Sequence, residues 1–242
     1  MATFPLLQGS SALLFITHGY GDYSHDDGYV ILAKALAPRG FYVFTHDHVG
    51  HGRSEGPRAT VRTFDIYVDD ILTHVDMERA KFPGKPVFLF GHSMGGLLVI
   101  LVALRRPGGF AGMVVMSPLL GIEHPYYTRF TKAQARASAV ELPFLLQHGT
   151  GDVVCYPEAS KQFFEKAASR DKSLKLYNGA YHTLLEEPDG VAQEALKDVL
   201  DWLTARLPPL KSASTSAPNQ QPGTPGQADS AKETFQATAP EH

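Results

Sequence analysis

The pentapeptide Gly91-His92-Ser93-Met94-Gly95 has the pattern G-x-S-x-G and separates two strongly apolar segments. The segment before it, Val87 to Phe90, has the length of a buried strand. The segment after it, Leu97 to Leu104, is apolar on every side and predicts a buried central helix. A serine on a tight turn between a strand and a helix presents its hydroxyl at the edge of a sheet, and flanking glycines avoid collisions there. This context makes Ser93 a candidate nucleophile.

The rest of the chain alternates between apolar runs typical of strands and segments with helical spacing. Alternation of this kind predicts an α/β domain with a mostly parallel sheet, helices on both faces and a ligand site at the carboxyl ends of the strands. The further strands are predicted at Ala12–Thr17, Phe41–Thr45, Met113–Met116, Phe144–Leu146 and Leu174–Tyr177, and the further helices around Tyr29–Leu36, Phe64–Val75 and Ala192–Leu203.

The composition changes at Pro208. Residues 208–242 contain six of the 17 prolines, and their only large apolar side chains are those of Leu210 and Phe235. Such a segment cannot bury enough apolar surface to offset the entropy of ordering it. We therefore expect one folded domain over residues 1–207 and a disordered tail over residues 208–242.

Charge and cysteine content exclude several classes of function. The 22 Lys and Arg residues stand against 25 Asp and Glu without a run of like charges, so a nucleic-acid partner is not expected. The single cysteine, Cys155, allows neither an internal disulfide nor a multi-thiolate zinc site. The segment Met1 to Ser11 lacks a basic start, and the apolar run that follows is too short for a signal peptide or a membrane span. We therefore expect a cytoplasmic protein.

A serine hydroxyl becomes a nucleophile when a base removes its proton and an acid orients that base. After a G-x-S-x-G turn, the chain order in α/β enzymes is serine, acid, histidine, each at the end of a strand. Asp152 follows the strand that ends near Leu146, and His182 follows the strand that ends near Tyr177. Ser93, Asp152 and His182 are the predicted catalytic residues. His148 precedes the acid and His92 adjoins the serine, so neither fits the position of the base.

Attack on a carbonyl creates an oxyanion that two backbone N–H groups can stabilise. Met94 at the start of the predicted helix supplies one of them. The loop after the first strand, His18-Gly19-Tyr20-Gly21, supplies the other, and its glycines allow an amide to turn inward. We expect the oxyanion hole to consist of the amides of Tyr20 and Met94.

The loop after the strand Phe41–Thr45 contains a second group of candidate ligands. His46 and His48 have the H-x-H spacing of a metal site, and His51 follows. The metallo-β-lactamase pattern carries an Asp before its last His, and here that position is Gly50. Since glycine offers no ligand, we expect no metal and interpret the segment as a glycine-containing loop beside the site.

Taken together, several motifs resemble the monoglyceride lipases, a family of α/β-hydrolases. The motifs are His18–Gly21, Phe44–Gly56, Gly91–Gly95, Phe110–Val114 and Gly179–His182, and the resemblance covers most of residues 12–206. It implies an α/β-hydrolase that cleaves monoacylglycerols to glycerol and fatty acid through an acyl-enzyme on Ser93, without a cofactor. It also implies the roles given above for Asp152, His182, Tyr20 and Met94.

Three further residues are expected near the site. The resemblance places the family's acidic group at Asp22, while the arginine that follows it in the family is missing around residues 26–28. We expect Asp22 and His92 to contribute to substrate binding. Cys155 lies three residues beyond Asp152, and its thiol is interpreted either as a regulatory group or as a buried packing residue.

The chain departs from the family in having no room for a full cap. Members carry extra strands before the one at Ala12 and a multi-helix cap that touches membrane. Only Pro118–Pro143 stands in the position of the cap here, enough for one short helix near Thr131–Val140. We therefore expect weak peripheral membrane contact at most. Two alternatives remain open, a catalytically impaired hydrolase-like protein and a general carboxylesterase or lysophospholipase. The oligomeric state is not predicted.

Overall fold

The computed structural model describes residues 2–3, 10–121 and 131–208. The chain divides into two units, Met1–Pro209 and Leu210–His242. The second unit lies outside the described residues, so the predicted disorder of the tail stays a prediction. Part of the predicted cap segment, residues 122–130, lies outside them too.

A seven-stranded sheet forms the centre of the first unit. Its strand order is β1-β3-β2-β4-β5-β6-β7, and only the pairing of β1 with β3 is antiparallel among the described strands. The strands are β1 Ala2–Thr3, β2 Ala12–Thr17, β3 Phe41–Thr45, β4 Val87–His92, β5 Gly112–Met116, β6 Phe144–Gly149 and β7 Lys172–Tyr177. This confirms the prediction of a mostly parallel sheet.

Helices cover both faces of the sheet. On one face, α1 and α6 pack through residues such as Leu32 and Val199. On the other face, α2, α3 and α5 pack through Ile71, Leu98 and Phe163, and α3 is almost completely buried as its sequence predicts. The helices are α1 Asp27–Leu36, α2 Phe64–Lys81, α3 Met94–Arg105, α4 Thr131–Ala135, α5 Pro157–Lys166 and α6 Val191–Thr204.

The predicted short helix in the cap segment is present as two pieces. Helix α4 is followed by a 3₁₀ turn at Ala137–Ala139, and Ala133 and Ala137 are fully buried. Strand β1 at the edge of the sheet and helix α5 were not predicted from the sequence, nor were the short 3₁₀ turns Ala37–Arg39 and Leu184–Glu186. The strands β4 and β6 also extend beyond their apolar runs, to His92 and Gly149.

The parallel register gathers the candidate loops at one edge of the sheet. Thr17 at the end of β2 is paired with Gly91, and His92 is paired with Met116 at the end of β5. The carboxyl ends of neighbouring parallel strands therefore lie side by side, as the site requires.

Candidate active site

Ser93 occupies a strained turn between β4 and α3. Its backbone angles are φ 55° and ψ −119°, a positive-φ conformation that residues with a Cβ rarely adopt. The turn is held by a hydrogen bond from the amide of Ser93 to the carbonyl of Met116, 3.0 Å long. A Cβ atom at Gly91 would lie 2.3 Å from the carbonyl oxygen of Gly95. The glycines are therefore required by close packing, as the sequence predicts.

The structure brings Ser93, His182 and Asp152 into one hydrogen-bonded row. Nε2 of His182 lies 2.9 Å from Oγ of Ser93, and Nδ1 of His182 lies 2.7 Å from Oδ2 of Asp152. Because the carboxylate only accepts, Nδ1 carries the ring proton and leaves Nε2 free to accept the serine proton. The His182 side chain is partly exposed, whereas that of Asp152 is fully buried. A substrate can therefore approach Ser93 and His182 while the Asp152 carboxylate has no contact with solvent.

The carboxylate of Asp152 accepts four hydrogen bonds. The amides of Val154 and Cys155 donate to Oδ1 over 2.8 and 2.9 Å, and the rings of His182 and His148 donate to Oδ2. Burial works to raise the pKa of Asp152, but the bonds from His148 and His182 outweigh it and hold the pKa well below its ordinary value. Asp152 is therefore an anion throughout the neutral range.

The two segments that carry the predicted oxyanion amides meet at Ser93. Met94 is the first residue of α3, where helical amides lack an intrahelical acceptor. The loop after β2 passes so close that a Cβ at Gly19 would lie 3.2 Å from Cβ of Ser93. The side chain of Tyr20 is more than half exposed, and its hydroxyl donates to the carbonyl of Ala59 over 2.9 Å.

Asp22 and His92, which the sequence places at the substrate, bond to the protein itself. The Tyr29 hydroxyl donates to Oδ2 of Asp22 over 2.8 Å, and the amide of Gly19 donates to both the Asp22 carboxylate and the Tyr29 oxygen over 3.1 Å each. Nδ1 of His92 lies 3.2 Å from the Tyr29 oxygen, and its Nε2 lies 3.2 Å from the backbone oxygen of His182. This chain of contacts joins the loop after β2 to the loop that carries His182.

A cavity of about 100 Å³ lies next to this network. Asp22, Asp26 and Glu186 line it, together with Gly28 at the start of α1. Burial works to raise the pKa of Asp22, while the neighbouring His92 ring and the hydrogen bond from Tyr29 lower it below its usual value. Burial and the charge of Asp26 raise the pKa of Glu186.

Cys155 lies at the site with a fully buried side chain. Burial and the negative charge of Asp152 raise the pKa of its thiol, and the thiol contacts Ser93. A thiol kept neutral in this way lacks the thiolate character of reactive cysteines. The contacts therefore favour the packing interpretation, and a regulatory role stays a prediction.

In the loop after β3, His46 and His48 lie within hydrogen-bond distance of residues on other elements. Nδ1 of His46 lies 3.0 Å from Nδ1 of His74 on α2, and Nε2 of His48 lies 2.7 Å from Oγ1 of Thr17. Within residues 10–121 and 131–208, no three His, Cys, Asp or Glu side chains are arranged to hold a metal ion. The loop packs against the end of β2, where the amide of His48 donates to Nε2 of His18 over 3.0 Å.

Comparisons with known proteins agree with this geometry. The family described as serine aminopeptidase, S33, matches residues 8–136 and 126–189. Human monoglyceride lipase is 34% identical over 261 residues, covering 84% of this chain and 86% of the human protein. The chain belongs to the monoglyceride lipase family of α/β-hydrolases. Members of this family are serine hydrolases, and the fold and the class of enzyme predicted from the sequence are confirmed.

Two other relatives extend the likeness beyond the human member of the monoglyceride lipase family. Caffeoylshikimate esterase of Arabidopsis thaliana is 26% identical and covers 80% of this chain and 78% of its own length. The crystal structure of Paleococcus ferrophilus monoacylglycerol lipase superposes with a TM-score of 0.75 at 25% identity, covering 85% of this chain and 98% of that one.

The comparisons also locate the departure from the monoglyceride lipase family. The human alignment extends over 261 residues, more than the 242 of the whole chain, so part of the human protein has no counterpart here. The two stretches that match the family, residues 8–136 and 126–189, overlap at residues 126–136, inside the predicted cap segment Pro118–Pro143. None of the helices among the described residues is long and apolar enough to cross a membrane.

Proposed function

We propose that this chain hydrolyses carboxylic esters through an acyl-enzyme on Ser93. His182 Nε2 takes the Ser93 proton as Oγ attacks the ester carbonyl carbon, and His182 then gives this proton to the departing alcohol oxygen. A water molecule then attacks the acyl carbonyl carbon while His182 takes its proton. His182 returns this proton to Oγ of Ser93 as the acyl–oxygen bond breaks, which releases the carboxylic acid and free serine. The observation that carries the proposal is the hydrogen-bonded row from Asp152 through His182 to Ser93.

Asp152 and two backbone amides complete the proposed mechanism. The buried anion of Asp152 holds His182 in the tautomer that accepts from serine and stabilises the imidazolium that forms. The amides of Tyr20 and Met94 stabilise the oxyanion, because the loop after β2 and the start of α3 meet at Ser93. Neither step needs a cofactor.

Monoacylglycerols are the proposed substrates. The human relative and the Paleococcus ferrophilus enzyme are both named for this substrate. A general carboxylesterase is the second candidate, since the cap segment is short and the Arabidopsis thaliana relative is named a caffeoylshikimate esterase. Lysophospholipids belong to this second candidate, as monoacyl lipids with a different alcohol part.

The test is release of glycerol and fatty acid from a monoacylglycerol by the full chain. We expect turnover by the natural protein and none above background in Ser93→Ala. Ser169→Ala is a matched control, because Ser169 is also buried but bonds to Asp171 away from the site. Turnover of short esters without turnover of monoacylglycerols would favour the second candidate. A folded protein inactive on both would favour the impaired hydrolase.

A further inference from the structure

His148 is a buried titratable side chain that the proposed mechanism leaves unused. It lies on β6, has no exposed surface and stands four residues before Asp152. Its Nε2 atom lies 3.0 Å from Oδ2 of Asp152 and 2.9 Å from the backbone oxygen of Cys155. Its Nδ1 atom lies 2.7 Å from Oγ of Ser160. Every polar atom of the ring thus has a partner.

The partners decide where the ring protons are. Both partners of Nε2 only accept hydrogen bonds, so Nε2 of His148 carries a proton. The hydroxyl of Ser160, which is fully buried on α5, can then donate to Nδ1. Donation to Nδ1 polarises the ring and strengthens the N–H bond that His148 gives to Asp152.

Two histidines consequently donate to the same oxygen of Asp152. His182 donates over 2.7 Å and His148 over 3.0 Å, both to Oδ2. We propose that His148 is a positioning residue that fixes the Asp152 carboxylate and, by sharing Oδ2, limits how strongly that carboxylate stabilises protonated His182. The proposal rests on the proposed function, since it concerns the base of the same reaction.

The physical reason is that a carboxylate has one negative charge to distribute among its donors. A donor that draws charge toward itself leaves less for the imidazolium of His182. In the described part of the chain, Asp152 and Cys155 adjoin His148. Beside His182 lie Asp152, the His92 ring at 4.8 Å between centroids, and Glu187, whose carboxylate accepts from the amide of Tyr181. Removing the His148 donor should therefore make His182 easier to protonate.

The experiment measures the labelling rate of Ser93 by a fluorophosphonate as a function of pH. His148→Leu removes the donor at similar volume, while His148→Gln keeps an N–H group near Nε2. We expect the pH at which the rate falls to half on the acid side to rise by about 0.5 to 1 unit in His148→Leu. We expect it to return to within about 0.2 unit of the natural value in His148→Gln.

His74→Leu is the matched control, because His74 is a buried histidine on α2 outside the site. An unchanged midpoint in folded His148→Leu, or equal shifts in the Leu and Gln variants, would overturn the proposal. So would the same shift in His74→Leu.

A second variant keeps the test decisive if His148→Leu does not fold. Ser160→Ala removes the donor to Nδ1 and should shift the midpoint in the same direction by a smaller amount, and no shift would overturn the proposal. Phosphonate labelling needs no ester substrate. Failure to hydrolyse both monoacylglycerols and short esters would therefore contradict the proposed function, while the role of His148 would still be decided by this measurement.

Discussion

Nε2 of His182 lies 2.9 Å from Oγ of Ser93, although 89 residues separate the two in sequence. They follow β4 and β7, which have β5 and β6 between them in the sheet. The contact is therefore produced by the parallel order of the strands and by the loop that crosses their carboxyl ends. His92 supports it, because its Nε2 contacts the backbone oxygen of His182.

Removal of the base His182 or of the acid Asp152 should lower kcat strongly and change substrate binding much less. We expect His182→Ala to lower kcat by about 10⁶ and Asp152→Asn by about 10⁴, because the residues act as a unit. Steady-state kinetics on a soluble ester measures both. A His182→Ala variant that keeps kcat within tenfold of the natural protein would contradict the assignment of the base.

The short cap segment should limit the response to acyl length. Each buried methylene contributes about 0.8 kcal/mol, about fourfold in binding, so a complete tunnel would reward every added carbon. With only Pro118–Pro143 in place of a cap, we expect kcat/KM to level off after the first few carbons. The measurement is a series of acyl esters below their critical micelle concentrations. A steady rise through the long chains would mean that another surface rebuilds the tunnel.

The contacts of Asp22 predict a kinetic effect different from that of a substrate ligand. Because Asp22 holds the Gly19 amide and the Tyr29 hydroxyl, Asp22→Asn should loosen the oxyanion loop and lower kcat by about tenfold. KM should change little. Asp26→Asn is the control, since Asp26 lines the same cavity and caps α1, a position that asparagine also suits. A higher KM with unchanged kcat in Asp22→Asn would contradict this prediction and favour a substrate-binding role for Asp22.

Buried histidines near the loop after β3 should make the fold sensitive to mild acid. Burial and the neighbouring His74 and His18 lower the pKa of His46 to about 3, and burial also lowers the pKa values of His18, His48 and His74. Each of these groups therefore binds its proton at a lower pH in the folded chain than in the unfolded chain, where histidine titrates near 6.5. Their contribution to stability is therefore present above pH 6.5 and is lost as pH falls toward the folded-state pKa values.

Urea unfolding at a series of pH values measures this dependence. As the pH falls from 6 to 4, each histidine that stays neutral in the folded chain should lower the free energy of unfolding by about 1.4 kcal/mol per pH unit. Asp152 steepens the dependence only toward pH 4, because there the unfolded chain begins to bind a proton that the lowered pKa of Asp152 keeps off the folded chain. We expect His46→Gln to reduce the slope by one such step. An unchanged slope would show that His46 is not held neutral.

The sequence predicts those parts of the fold whose burial is continuous. Strands β2 and β3 and helix α3 agree closely with their apolar runs, because nearly every side chain on them is buried. Helix α5 was missed because, beyond Phe163, its buried face includes the polar Ser160. Strand β1 has two residues and depends on its pairing with β3, which no local pattern can reveal.

At the site, the sequence predicts the residues at strand ends better than the contacts among them. Ser93, Asp152 and His182 could be named because parallel strands bring their carboxyl ends together in a fixed order. The bond from His148 to Asp152 could not, since it depends on which way a β6 side chain turns within a packed core. Predicting this bond would require knowing toward which neighbours the His148 side chain points in the folded chain.

The most direct test of the account is the site of labelling by a fluorophosphonate on the folded, full chain. We predict the addition of one phosphonyl group per chain, located on Ser93 by peptide mass spectrometry, at a rate that falls by orders of magnitude in His182→Ala. The Ser169→Ala control should label as the natural protein does. No labelling of folded protein, or labelling that persists in Ser93→Ala, would contradict the claim that Ser93, His182 and Asp152 form a working nucleophilic site.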